Sequence, residues 1–113
     1  MTPQNHRRIA RRSYRRAGRL VPRRSHGLRA GSVVLKPRQE MDWHSTKDRE
    51  ELLIILAGGV DLEVQTLRRR GRVRSLSAGQ CAFIPADTPH RVVNRSRTIA
   101  RYLYVTARSS RAS

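Results

Sequence analysis

From Gly27 onward, short runs rich in apolar and β-branched residues are interrupted every ~8–12 residues by turn signals. These are Lys36-Pro37, Gly58-Gly59, Arg70-Gly71, Ala78-Gly79, Ala86-Asp87 and the stretch from Asn94 to Ser96. The spacing predicts eight strands, near 29–35, 41–45, 51–57, 60–67, 72–76, 81–84, 90–94 and 98–106. It leaves no obvious place for a helix among them. Such a pattern indicates an all-β sandwich or barrel. Gly58-Gly59 between LLIILA and VDLEV is a hairpin signal, and RRRGRVR around Gly71 is another. With 113 residues the chain is long enough for one domain with a modest core and too short for two.

Strand parity sorts the side chains, because alternate residues of a strand share a face. Glu51, Leu53 and Ile55 share one face, as do His90, Val92 and Asn94. If these faces point inward, polar groups sit at one end of an apolar cavity. A histidine, a carboxylate and a second histidine on separate strands converge only in a closed or double-layered sheet. There, His44, Glu51 and His90 make a three-ligand site for a divalent metal, with positions left open. Leu52, Ile54 and Leu56 make the opposite face apolar too, which predicts cover from a second subunit or from the N-terminal segment. A homodimer is therefore expected.

The residues Gly79, Pro85, His90 and Asn94 in GQCAFIPADTPHRVVN, with His44, Glu51 and Gly58 upstream, resemble the two motifs of the cupin family. The second motif fits with one departure, Asp87 in the place of a glycine, and aspartate also enters left-handed turns. In the first motif Thr46 stands where a second histidine belongs and Arg38 replaces the opening glycine. The resemblance implies a double-stranded β-helix, or jelly-roll barrel, over residues 26–107. It also implies that His44, Glu51 and His90 hold iron, manganese, zinc, nickel or copper, one ligand short of the family's four. Thr46 is a poor substitute ligand, and Asp42 would share the direction of His44 on a regular strand. The family includes dioxygenases, isomerases, decarboxylases and non-catalytic binders. The expected function is thus binding a metal and acting on or sensing a small molecule, with a metal-free small-molecule or sugar binder as the alternative.

Charge divides the chain unevenly. Residues 1–31 hold ten arginines and no acid, whereas residues 32–107 hold thirteen cations against eight acids. The formal charge of +17 is therefore mostly a property of the ends, residues 1–25 and 108–113. Arginine outnumbers lysine 23 to 2, a skew that coding bias explains as well as any electrostatic role. The arginines from Arg7 to Arg19 recur in step with a helix, with Ala10, Tyr14, Ala17 and Val21 on the other side. Mutual repulsion and short length oppose that helix, so a disordered or weakly helical extension is expected. Its sharper readings are an arm for nucleic acid or another anionic surface, or an organelle-targeting segment.

Cys81 is the only cysteine, which excludes an intramolecular disulfide, and a buried inert thiol is the expectation. No apolar run approaches the ~20 residues of a transmembrane helix, and a cytoplasmic location is expected. Asn94 is read as a turn stabiliser and Trp43 as packing outside the cavity. Tyr102 and Tyr104 share one face of YLYV. The arginines from Arg68 to Arg74 read as a solvated hairpin edge.

Overall fold

The computed structural model describes residues 8–65 and 72–109. Eight antiparallel strands form two sheets: β1 (Gly18–Arg19), β2 (Leu28–Leu35), β3 (Arg49–Ala57), β4 (Gly59–Val64), β5 (Arg72–Ser77), β6 (Cys81–Ile84), β7 (His90–Val93) and β8 (Ala100–Arg108). One sheet runs β1-β2-β8-β3-β6 and the other β5-β4-β7. No helix occurs among the described residues.

The alternation expected from the sequence is what closes the two sheets into a barrel. Arg49, Glu51, Leu53 and Ile55 of β3 are buried, as are His90 and Val92 of β7. Leu35, Leu53, Ile55, Ile84 and Tyr102 from the larger sheet meet Val60, Leu62 and Val92 from the smaller one to form the core. The β3–β4 hairpin turns at Gly58, whose φ is +72° and where an added Cβ would lie 2.6 Å from the Ile99 carbonyl oxygen. Only glycine meets both demands.

The described part of the N-terminal segment lies beside the larger sheet. Residues 8–17 run as coil and turn, and β1 then pairs Gly18 with Ser32 and Arg19 with Gly31 of β2. The Ser32 hydroxyl donates to the Tyr14 carbonyl at 2.8 Å, so this segment covers the outer face of β2. It does not reach β3 and β6, where Leu52 is 37% and Phe83 60% exposed. Cys81, expected to be buried, is exposed on that same face.

The strand expected over 41–45 does not form. Only two isolated bridges remain, Glu40 to Val93 and His44 to His90. Local side chains hold the chain in another course: the Thr46 hydroxyl donates to the Arg49 carbonyl at 2.7 Å, and the Ser45 hydroxyl accepts from the Lys47 amide at 3.1 Å. Lys47 has a positive φ of 59°, which ends any extended run. The turn at Arg70-Gly71 and Arg68 to Arg70 of the arginine hairpin lie outside the described residues. Among the described residues no helix is long and apolar enough to cross a membrane.

Candidate metal centre

His44, Glu51 and His90 reach one point by different routes. Glu51 is on an inward position of β3, and His90 opens β7 after the Pro85–Pro89 turn, where Asp87 takes the left-handed conformation its motif position requires, with φ of 57°. His44 is placed by its bridge alone: its amide donates to the His90 carbonyl at 2.9 Å and the His90 amide donates back at 2.8 Å. The two imidazoles lie 4.4 Å apart, and the ligand atoms of the three side chains all fall within 4.8 Å of one another.

The outer ring nitrogens fix the orientation. His90 Nδ1 lies 2.8 Å from the Thr88 carbonyl oxygen and His44 Nδ1 3.0 Å from that of Asp42, so each Nδ1 carries the donated proton. In the neutral rings Nε2 is then left with its lone pair, as in histidines that ligate a metal. Facing His90 Nε2 at 2.9 Å is Glu51 Oε1, which is buried and, despite that proximity, receives no aligned hydrogen bond. Two acceptors meeting in a buried place call for a cation between them, a proton or a metal ion. Burial alone would lower the His90 pKa, but the Glu51 carboxylate and the Thr88 carbonyl outweigh it, and the net shift is upward.

The fourth position of the family motif supplies no ligand. The Thr46 hydroxyl is committed to the Arg49 carbonyl. Asp42 is exposed and its carboxylate is not among the grouped ligand atoms, because the regular strand that would have aligned it with His44 is missing. Asn94 is fully buried and structural. Its amide nitrogen donates to the carbonyls of Leu35, Lys36 and Thr98, and its oxygen accepts from the Ser96 amide and hydroxyl. Trp43 is 40% exposed and stacks under the Arg91 guanidinium, 5.1 Å from its ring centre, outside the site as expected.

The three residues sit in a cavity of about 460 Å³, within the range of small-molecule sites. Val33, Met41, Leu53, Val92, Tyr102 and Tyr104 line its apolar part. Gly31 leaves room for the Tyr104 ring, since a Cβ there would lie 2.5 Å from it. Tyr102 is buried, and burial first, then the Glu51 and Tyr104 charges, raises its pKa, so its phenol stays protonated.

The polar part holds residues that motif reasoning missed: Arg29, Lys47, Arg49 and Thr106. Arg49 is 6% exposed. Burial, and the like charges of Arg29 and Arg108, press its pKa below the usual arginine value, though Asp48 opposes them. An arginine starts so high that it remains charged. Parity would have found it, since Arg49 precedes Glu51 by two residues on β3.

A family model described as the cupin domain matches residues 31–106. Among solved structures, the TT1209 protein of Thermus thermophilus is similar with a TM-score of 0.68 and 25% identity, covering 96% of this chain and 97% of that one. A cupin 2 conserved barrel domain protein of Salinispora arenicola gives a TM-score of 0.68 at 23% identity over 81% and 74% of the two chains. The Schizosaccharomyces pombe Cnp3 cupin domain gives 0.72 at 16% identity, over 83% of this chain and 64% of that one. This chain thus spans less than two thirds of the length of the Cnp3 structure. No curated protein matches the sequence.

Proposed function

This chain belongs to the cupin family, and from that premise we propose that it binds one divalent metal ion through His44, Glu51 and His90 and acts on or senses a small molecule in the adjoining cavity. The observation that carries the reading is the buried Glu51 Oε1, which faces the His90 Nε2 lone pair at 2.9 Å without a donor. Iron, manganese, zinc, nickel and copper all suit two imidazoles and one carboxylate. A bound ion would orient and polarise an oxygen-bearing ligand at its open positions. The chain's own residues do the rest. Thr88 and Asp42 hold the imidazoles in the ligating tautomer, and the protonated Tyr102 phenol borders the ligand space as a neutral hydrogen-bond donor.

Metal content of the full chain, purified without chelator or affinity metal and measured by mass spectrometry, tests this. Near-stoichiometric metal that disappears in a Glu51→Ala, His90→Ala double variant is the expected result; no metal in the wild type even after reconstitution would leave a metal-free binder. That second reading is favoured by one observation, the commitment of Thr46 to the Arg49 carbonyl, which leaves three ligands where the family motif has four.

The exposed Leu52 and Phe83 support a homodimer through the outer face of β3 and β6. Leu52→Lys with Phe83→Lys is expected to convert a dimer to a monomer in analytical ultracentrifugation. A wild-type chain that sediments as a monomer at all concentrations would end this part of the proposal.

A further inference from the structure

Beside the candidate metal ligands, the barrel buries positive charge that the described residues leave unneutralised. In the larger sheet, Arg29 of β2, Thr106 of β8 and Glu51 of β3 are successive cross-strand partners, so they form one row across the inner face. With strands ~4.8 Å apart, Arg29 and Glu51 are separated by about 10 Å of sheet. Arg49 leans into this row. Its Nε donates to the Thr106 hydroxyl at 2.9 Å, and its Nη2 donates to the Thr106 carbonyl at 3.0 Å and the Gly27 carbonyl at 2.7 Å.

All three acceptors are neutral, and Nη1 makes none of these bonds. Among the described residues no carboxylate lies within ion-pair distance of Arg49 or Arg29. The cavity wall carries Arg29, Lys47 and Arg49 against a single acid, Glu51, and that acid faces His90. A buried cation needs a counter-charge, and with its Nε and Nη2 hydrogens committed to neutral acceptors Arg49 is locked in orientation and keeps only the two N–H of Nη1 for an anion such as a carboxylate.

We infer that Arg49, assisted by Arg29, is a carboxylate-binding subsite, and that the small molecule taken by this barrel is an organic acid lying between these arginines and the His44–Glu51–His90 group. This deepens the metal-site proposal and rests on it for the second end of the ligand. The acid lies along the Arg29–Thr106–Glu51 row, with its carbon skeleton against Val33, Tyr104 and Leu53. Cations and neutral sugars are disfavoured, because neither neutralises Arg49.

Calorimetric titration of the full chain, with metal content measured in parallel, tests the assignment. The probes are malonate and succinate, their neutral diamides, and inorganic phosphate. Arg49→Gln, Arg49→Lys, Arg29→Gln and Glu51→Gln chains accompany the wild type. The acids are expected to bind at least about 10-fold more tightly than the diamides, and Arg49→Gln to lose about 10- to 100-fold in acid affinity, as for a charge-assisted bond. Arg49→Lys keeps the charge without the bonds that orient it and falls between them, while the exposed Arg29→Gln loses a few-fold.

Equal affinity for acids and diamides, or a folded Arg49→Gln chain that binds acids like the wild type, would overturn the subsite. Phosphate binding tighter than either acid would overturn its assignment to carboxylates. If Arg49→Gln does not fold, the acid-to-diamide ratio and the Arg29→Gln chain decide instead, with undiminished acid binding in the latter counting against the proposal. The two readings fail separately. Arginine-dependent acid binding in a wild type that takes up no metal contradicts the metal site alone, whereas one metal per chain with no preference for acids contradicts the subsite alone. Acid binding that persists in Glu51→Gln while its metal is lost supports a subsite built by the arginines themselves.

Discussion

Two groups of charged residues, one on the three-stranded sheet and one lining the cavity side of the five-stranded sheet, are treated differently. On β4 and β7, Glu63 accepts from Arg91 Nε at 2.7 Å and from Arg95 Nη2 at 2.5 Å. Arg91 reaches on to Glu40 at 3.0 Å and Arg95 to Asp61 at 2.9 Å. Every carboxylate in this network has a cation, and the arginine bonds hold the Glu63 carboxyl below its usual pKa despite its burial. In the cavity, Glu51 Oε1 lacks a donor and Arg49 lacks a carboxylate. The network fastens the fold, while the cavity charges lack such partners among the described residues, which fits the proposed binding site.

The largest expected effect breaks the network. Glu63→Gln leaves Arg91 and Arg95 facing a neutral group and should lower stability by about 2 kcal/mol, a figure kept modest because both arginines are partly solvated. Chemical denaturation of the full chain reads it directly. Glu51→Gln should abolish metal uptake yet, above the raised His90 pKa, leave the metal-free chain within about 0.5 kcal/mol of the wild type, since the carboxylate there faces a neutral imidazole; below that pKa the protonated His90 loses its counter-charge and the chain is less stable. A large destabilisation by Glu51→Gln above that pKa would show that Glu51 is a structural partner of His90 and not a metal ligand.

Acidity separates the two regions next. Glu63 has a depressed folded pKa, so its contribution is present above the ordinary carboxylate range and lost as pH falls through the depressed value. His90 has a raised folded pKa, so in the metal-free chain its contribution is present below about 6.5 and lost as pH rises through the raised value. Denaturation midpoints across pH should show an acid limb removed by Glu63→Gln and a near-neutral limb removed by His90→Ala. The smallest effect is Arg95→Ala. It sits at the exposed end of the network and should shift the midpoint less than Glu63→Gln does, with most of the difference vanishing in high salt.

The sequence made the barrel legible because its signals were local. The run CAFI is strand β6 as read, and alternation along β3 and β7 placed Glu51, His90 and Asn94 inside. The approach to His44 was not legible. DWHSTKD lacks an apolar alternation, and its Ser and Thr hydroxyls satisfy nearby backbone groups, so the expected strand gives way to one bridge. Arg38 shows the limit of a residue-type match. It departs from the motif's glycine, yet its φ of 67° shows that the fold still imposes the left-handed turn there. Arg49 was missed because charged residues are assigned to surfaces by default. The apolar outer face was partly resolved: Tyr14 and residues 18–20 bond to β2, and Leu52 and Phe83 are exposed.

In the proposed site, His44, Glu51 and His90 together receive one metal ion. Cobalt(II) titration of the chelator-stripped full chain, followed by its visible absorption, tests that most directly. Saturation at one ion per chain is expected, weakening as pH falls below the raised His90 pKa, with no spectrum in His90→Ala. An unchanged spectrum in His90→Ala, or none in the wild type, would contradict it.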